Sequence, residues 1–400
     1  TMNEIKEIFN KHIENGICNG AEYIINFNGK IYQEAIGFKD LEKKIKLPKN
    51  LHYRIWSMTK PIVSLAAMQL VEKKFLSLDD TIDKYLPGIK KIKILNKNSK
   101  NINDTYLSNK IPTIRDLLLH TAGFTYNTSN NIIAEEYEKR KIFHSGETSL
   151  EQEVYNILQI PILYEPGTEW HYSVSIDILA RIIEIITKES LINTLNENIF
   201  SLLQMKNTNF YINKEDNINL ANTFEFSRDT QTLKNLNPAA RKLVNYWYPA
   251  NNITYARGGH GLFSTAKDYL QFSNMLFDGK NFQGKELIKS ETLNQMRVNS
   301  LDSSLFPLEI SSINTIKDRK YINDLEGYGW GLGFRVLMNK TKHNPYGAIG
   351  EFGWSGYAST YFMVDPVNRI SAVLMMQIID GERILKQDFY NNIFKKLKEI

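Results

Sequence analysis

Cysteine is almost absent from this chain, with one residue, Cys18, in 400. A lone thiol closes no intrachain disulfide, so nothing covalent demands an oxidising compartment and packing alone must hold the fold. Long apolar runs are missing too. The longest, residues 62–71, is interrupted by Ser64 and Gln69 and falls well short of the ~20 residues needed to span a bilayer, so no membrane-spanning helix is expected. The first residues, Thr1-Met2-Asn3-Glu4-Ile5-Lys6, lack the charged, apolar and small-residue regions of a signal peptide. A cytoplasmic protein is expected, or a periplasmic one if a signal peptide has been removed. The seven histidines contain no H-E-x-x-H and the single cysteine offers no zinc framework, so neither metal nor other cofactor is expected. His120, His171 and His260 are read as structural groups. The run of Gly327, Gly329, Gly331 and Gly333 fails the dinucleotide pattern G-x-G-x-x-G because Phe334 stands where glycine is required, and it reads as a strand closely approached by other backbone.

Excess charge is also small. Forty-nine basic against 44 acidic residues leave +5, and Lys outnumbers Arg 37 to 12, a balance that identifies no partner. The Lys/Asn-rich stretch 90–101 reads as a solvated loop rather than a nucleic-acid surface, and no repeat or low-complexity linker interrupts the chain. What is abundant is core material. With 42% apolar and 12% aromatic residues, the sequence fills one large bilobed core, which excludes disorder and fibres.

The chain opens with Ile5, Ile8, Phe9 and Ile13 at helical spacing, then two β-branched and aromatic segments, 21–27 and 30–37, around the hairpin dipeptide Asn28-Gly29. It closes in mirror fashion. Residues 354–364 and 370–377 read as strands around the turn 365–368, followed by a helix over 383–400. Two-stranded ribbons are marginal alone, so the economical arrangement joins both ends in one antiparallel sheet with the end helices on a face. The middle, 79–296, reads as mostly helical: Thr113 caps 114–120, 150–159 is periodic, and 175–187 is apolar at Ile176, Leu179, Ile182, Ile183 and Ile186. The expected fold class is α+β, an antiparallel sheet from both chain ends flanked by helices, plus a mostly helical lobe. We assign 1–88, 172–215 and 297–400 to the α/β lobe and 89–171 and 216–296 to the helical lobe, with a cleft between them.

The sharpest local feature is Ser57-Met58-Thr59-Lys60, followed by Pro61 and an apolar helix. Proline is tolerated in a first helical turn and damaging later, so Ser57 belongs at a helix start, among free backbone N–H groups. Residues three apart on a helix lie roughly 60° apart and about 4.5 Å along the axis, so Lys60 projects beside Ser57. An adjacent amine is one way to deprotonate a serine without histidine. S-x-x-K alone often marks nothing more than an exposed helix start. Here it has company: Tyr172-Ser173-Val174 at a loop-to-helix junction after Glu165-Pro166-Gly167, and Trp354-Ser355-Gly356, where Gly356 permits close backbone approach. Gly353-Trp354-Ser355-Gly356 is one residue short of a G-x-S-x-G elbow and no helix follows, so Ser355 is not read as a nucleophile. Trp56, Trp170, Trp330 and Trp354 lie beside or near the motifs, with Trp247-Tyr248 as a further aromatic pair; about half are read as core filling and the rest as pocket wall.

Taken together the sequence resembles the serine β-lactamase-like superfamily, and most closely its family VIII carboxylesterases. The resemblance spans nearly the whole chain and includes D-L-L-L-H-T-A-G-F at 116–124, G-G-H-G-L-F-S-T at 258–265 and Y-F-M-V-D-P at 361–366. It implies that Ser57 is the acylated nucleophile, Lys60 its proton acceptor or electrostatic partner and Tyr172 the phenol that shuttles protons. It also implies an oxyanion hole built from the backbone N–H groups of Ser57 and Tyr357, and a second tyrosine, Tyr126, by the serine. Ordinary pKa values near 10 would leave Lys60 and Tyr172 both protonated at neutral pH. Crowding must therefore produce either a neutral amine or a phenolate, and the sequence leaves both open.

Two departures from the β-lactamase pattern matter. Y-x-N has become Tyr172-x-Val174, and the third motif begins with Trp354 rather than Lys or His, so a substrate carboxylate loses its cation. β-Lactams and D-Ala peptides carry that carboxylate and simple esters do not. The expected activity is therefore hydrolysis of small carboxylic esters, of short to medium acyl length, through an acyl-enzyme on Ser57, with Tyr126, Trp354, Ser355 and Gly356 lining the substrate pocket. The alternatives are a β-lactamase or D-Ala-D-Ala carboxypeptidase, an acyltransferase, and a non-catalytic binding or assembly protein. No nucleic-acid partner and no oligomeric state are indicated.

Overall fold

The computed structural model describes residues 2–86, 88–89, 91–143, 148–236, 248–310 and 321–397. The helices that build the sheet and the site are α1 (Asn3–Glu14), α2 (Thr59–Glu72), α3 (Ile114–Leu119), α4 (Ser175–Thr187), α5 (Ala266–Met275) and α6 (Arg383–Leu397). The principal strands are β1 (Gly20–Phe27), β2 (Lys30–Asp40), β3 (Ile45–Lys46), β4 (Tyr328–Trp330), β5 (Arg335–Leu337), β6 (Phe352–Ser355), β7 (Tyr361–Asp365) and β8 (Ile370–Met375). They form one antiparallel sheet in the order β4-β5-β6-β7-β8-β1-β2-β3. The two chain ends meet where β1 pairs with β8, from Glu22 opposite Met375 to Phe27 opposite Ile370. Asn28 (φ 50°) and Gly29 (φ 95°) both take the left-handed conformation that a two-residue primed hairpin turn requires.

This sheet is apolar on both faces because it is covered on both. Tyr23, Ile25, Met363, Ala372 and Leu374 pack with Ile5 and Phe9 of α1 and Phe389 and Ile393 of α6. Their alternating neighbours Ile24, Phe362, Val364, Val373 and Met375 join the main core, against which α5 lies across β1, β7 and β8. Period-two alternation thus sends half of each strand to each core, and a sheet covered on both sides reads as a continuous apolar run. Burying one such side chain contributes about 1.5–3 kcal/mol, so neither face tolerates a one-residue register slip.

The expectations and the structure differ at three places. Residues 354–364 are not one strand: the chain turns after Ser355, with Ser359 at φ 71°, and returns as β7 paired to β6. In the Lys/Asn-rich run, Lys93–Leu95 pairs with Thr105–Leu107, because Ile94 and Leu95 are buried, while Lys93, Tyr106 and Leu107 stay exposed. Helix α5, within the 216–296 segment assigned above to the helical lobe, packs on the sheet. We retain the two-lobe division as a proposal with α5 moved to the sheet side. Lys90 and Trp247 lie outside the described residues. Among those described, no helix is long and apolar enough to cross a membrane.

The helical side is held by α2 and α4. From Thr59 to Leu70 every residue of α2 is buried, so it is a central helix with no solvent face. It packs on α4, whose Ile176, Leu179, Ile182 and Ile183 are fully buried, and α4 in turn packs on α3. Helix α3 starts at a capping box in which Thr113 Oγ1 accepts from the Asp116 N–H (3.1 Å) and Asp116 Oδ2 accepts from the Thr113 N–H (3.0 Å). Thr113→Ala should lower the free energy of unfolding by about 1 kcal/mol. A chemical-denaturation midpoint indistinguishable from native would show that the cap contributes nothing.

Candidate active site

Ser57 sits in a single 3-10 turn, Trp56–Met58, immediately before α2. Its position depends on an unusual neighbour: Trp56 has φ 46°, a left-handed conformation costly for a bulky residue. The Trp56 ring is held by edge contacts with Tyr248 at 4.9 Å and Tyr357 at 5.0 Å between centroids. The segment with the G-G-H-G pattern anchors the helix start, since the Leu262 N–H donates to Thr59 Oγ1 (3.1 Å) and the Ile55 N–H donates to the Leu262 carbonyl (3.1 Å). The Tyr269 hydroxyl of α5 donates to the Met58 carbonyl at 2.7 Å.

Tyr172 arrives from the other side. Its loop is pinned to residues 120–125: the His171 N–H donates to the His120 carbonyl (2.9 Å), the Ser173 N–H to His120 Nδ1 (3.2 Å) and the Val174 N–H to the Thr125 carbonyl (3.2 Å). The H-T-A-G-F pattern is therefore a platform for the tyrosine loop. The histidines near the motifs have side-chain partners: His120 Nδ1 with Ser173, His171 Nε2 with Thr125 Oγ1 (2.8 Å) and His260 Nε2 with the Tyr255 hydroxyl (2.8 Å). Burial pushes His120 well below the usual imidazole range, so its ring, 4.8 Å from that of Tyr172, is neutral packing.

These elements converge on one hydroxyl. Lys60 Nζ donates to Ser57 Oγ at 3.0 Å, and the Tyr172 hydroxyl donates to the same oxygen at 2.7 Å. Lys60 also donates to the Gly259 carbonyl at 2.8 Å and lies 4.7 and 4.9 Å from the ring centroids of Tyr172 and Tyr126. The Tyr126 and Tyr172 rings stand 5.3 Å apart. Burial lowers the Lys60 amine to about 7, against a rise from the Asp177 carboxylate. Tyr172 moves the other way, raised chiefly by burial, although its hydrogen bonds with Ser57 and Trp354 oppose the rise. The lysine is thus the group of this pair that can be neutral near pH 7, and the tyrosine stays a phenol.

Trp354 does something its residue type did not announce. Its Nε1–H donates to the Tyr172 hydroxyl at 3.0 Å, and its ring meets Tyr172 and Trp330 at 5.2 and 4.7 Å. Trp330 Nε1 donates in turn to the Leu118 carbonyl (3.2 Å), so the two tryptophans form one braced wall. Val174 is fully buried and packs in the main core. At the end of β6 the Gly356 N–H donates to the Thr360 carbonyl (2.8 Å). A Cβ there would collide with Thr360 Oγ1 and lie 2.6 Å from the Ile55 carbonyl oxygen, so only glycine lets this strand end sit against residues 55–57. Half-buried Ser355 and exposed Tyr357 flank it.

Of the residues singled out from the sequence, Lys60 and Tyr172 therefore bond to Ser57, Tyr126 and Trp354 stand against those two, and Gly356, between Ser355 and Tyr357, sits against Ile55. Sequence reasoning missed the left-handed Trp56, the Gly259 carbonyl and Asp177, an acid inside the otherwise apolar start of α4. Only that last anomaly left a readable signal. A groove of about 620 Å³ lies elsewhere, at the far end of α2 among Phe75, Asp79, Arg115 and Val298. It is an open surface feature with no group of the Ser57 cluster in its lining.

Residues 5–392 match the family model described as Beta-lactamase. The chain belongs to the Beta-lactamase family. Its α+β architecture, with a large antiparallel sheet and several helices, is the serine β-lactamase-like hydrolase fold. Among curated relatives, Protein Rv1367c of Mycobacterium tuberculosis is 26% identical over 371 residues, spanning 90% of this chain and 86% of that one. Protein flp of Staphylococcus aureus (strain MW2) is 29% identical over 224 residues, 54% of this chain and 41% of its own length. Among solved structures, EstCE1, described as a hydrolase with promiscuous acyltransferase activity, is 25% identical with a TM-score of 0.77, covering 97% of both chains. The unliganded selenomethionyl simvastatin synthase LovD of Aspergillus terreus shares the fold, with TM-score 0.80 at 19% identity over 100% of this chain and 99% of that one.

In this Beta-lactamase family member the Lys60 amine should titrate far below the surface lysines. With ¹³Cε-labelled lysine, one resonance, missing in Lys60→Met, should show a midpoint near 7. A midpoint near 10 would mean that burial does not discharge it.

Proposed function

We propose that this protein hydrolyses carboxylic esters through an acyl-enzyme on Ser57. One observation carries the reading: the Ser57 hydroxyl is bracketed by a lysine at 3.0 Å and a tyrosine at 2.7 Å, with a lysine that can be neutral near pH 7. Neutral Lys60 accepts the Ser57 proton as Oγ attacks the ester carbonyl carbon. The developing oxyanion is held by the backbone N–H groups of Ser57 and Tyr357, a pair of donors whose individual removal commonly costs about 3–4 kcal/mol. As the C–O bond breaks, Tyr172 gives its proton to the departing alkoxide and recovers one from Lys60. Water then attacks the acyl carbon with the same groups in reverse.

Esters are preferred to β-lactams because the carboxylate of a β-lactam finds no cation at position 354 and no side-chain amide at position 174. The indole N–H is already engaged by Tyr172, and Val174 is buried. Losing a charge-assisted hydrogen bond costs about 1.5–3 kcal/mol and losing an amide contact about 1 kcal/mol, which predicts discrimination of roughly 10²-fold or more. The similarity to EstCE1 favours a second outcome at the same acyl-enzyme, capture by an alcohol instead of water.

Four measurements test the reading. A fluorophosphonate should add once, to the peptide containing Ser57, and Ser57→Ala should be inactive; labelling at Ser355 would overturn the nucleophile. Tyr172→Phe and Lys60→Ala should each slow p-nitrophenyl butyrate hydrolysis roughly 10²–10⁴-fold, with the double variant little worse, whereas additive losses would mean separate roles. Because the lysine must be neutral to accept a proton, kcat/KM should fall as pH drops through about 7. A cephalosporin should be turned over far more slowly than the ester, with the ratio moving toward the lactam in Trp354→Lys. Equal efficiency in the native protein would favour the β-lactamase reading.

A further inference from the structure

Asp177 is a carboxylate where apolar side chains are expected. It lies in the first turn of α4, fully buried between Ile176 and Ile178. Its Oδ1 accepts the Gly259 N–H at 3.1 Å, the Gly258 backbone also favours the ionised carboxyl, and Oδ2 is buried with no partner at full hydrogen-bond geometry. Leaving a buried carboxylate oxygen unpaired is costly, so an acid retained here needs a reason beyond packing.

The Gly259 backbone supplies that reason. Its N–H faces Asp177 while its carbonyl accepts from Lys60 Nζ at 2.8 Å, so the two peptide groups on either side of one Cα link the acid to the amine that touches Ser57. The approach is close: a Cβ on Gly259 would collide with Asp177 Oδ2 and stand 3.2 Å from the Tyr126 hydroxyl, so any side chain there would displace the acid. We propose that Asp177 is a positioning residue for Lys60, holding the Gly259 carbonyl against the amine by fixing the Gly259 backbone and setting the lysine's charge through its buried carboxylate.

The charges around Asp177 are few. Lys60 on α2, Arg257 in the segment before α5 and the Gly258 and Gly259 backbone N–H groups favour its ionised form, while Tyr126, Tyr172 and Tyr255 face it as neutral phenols. Arg257 is shared with Glu153, whose Oε1 lies 3.9 Å from Nε, and it donates to the carbonyls of Ala256 and Thr148 at 2.7 Å each. Two buried acids thus stand with two buried bases. Desolvation pulls Lys60 down and Asp177 pulls it back up, so the acid keeps the amine from discharging too far to return a proton to Tyr172.

The inference rests on the reading of Lys60 as the proton acceptor, and its test has a readout independent of esterase activity. Asp177→Asn keeps the shape and an acceptor oxygen but removes the charge. The Lys60 ¹³Cε midpoint should then fall by about one unit or more, and the acidic limb of kcat/KM should move the same way. Asp177→Glu restores the charge one methylene out of place: the midpoint should return to within about half a unit of native while kcat falls because the Gly259 carbonyl is displaced. A midpoint unmoved in Asp177→Asn overturns the proposal, and so does an equal fall in Asp177→Glu, which also serves if the Asn variant does not fold. If the midpoints move as stated but no variant, nor the native protein, hydrolyses any ester, the ester reading fails and the assignment of Asp177 stands.

Discussion

An ammonium taken out of water loses the solvation that makes it charged, and the rest of this site follows from doing that to Lys60. Helix α2 is buried from Thr59 to Leu70, so the amine at its start has no route to solvent. What surrounds it are two aromatic rings, a backbone carbonyl, a serine hydroxyl and, across the Gly259 backbone, a carboxylate. The other groups need not be reactive in themselves. Tyr172 can remain an ordinary phenol, and His120 beside it neutral packing, because the lysine alone is driven toward the uncharged state near neutral pH.

Holding such an amine requires rigid surroundings, and the fold supplies them from distant parts of the chain. Ser57 and Lys60 come from the start of α2, Tyr172 from the loop before α4, Gly259 from the segment before α5, and Trp354 and Gly356 from β6. Each is tied by backbone hydrogen bonds to a neighbour rather than left on a free loop. The strained Trp56 and the close approach at Gly356 are where the packing is least forgiving. Both flank Ser57, consistent with strain held at sites that surrounding structure over-determines.

Trp354 illustrates how a replaced residue changes a site without dismantling it. A cation at this position would offer a charge to the substrate. The indole instead donates its one N–H to Tyr172 and braces against Trp330. The tyrosine keeps a hydrogen-bond partner, and the wall becomes apolar. The chain keeps the Beta-lactamase fold with an aromatic wall beside Tyr172.

Much of this was legible in the sequence. Local signals set the Asn28-Gly29 hairpin, the Thr113 cap, the bounds of α4 and the helix-start position of Ser57, because each depends on a few adjacent residues. The motifs also identified which side chains would meet. Sequence alone could not show that residues 354–364 break into two strands, since the break depends on Gly356 fitting against Ile55, some three hundred residues earlier. Nor could it choose between a neutral lysine and a phenolate. That choice depends on burial, which here comes from α2, α4 and the 258–265 segment closing around one amine. The pairing of Trp354 with Tyr172 and of Asp177 with Gly259 were tertiary decisions for the same reason: residue types state what a side chain can donate or accept, and only the fold determines what stands within 3 Å of it.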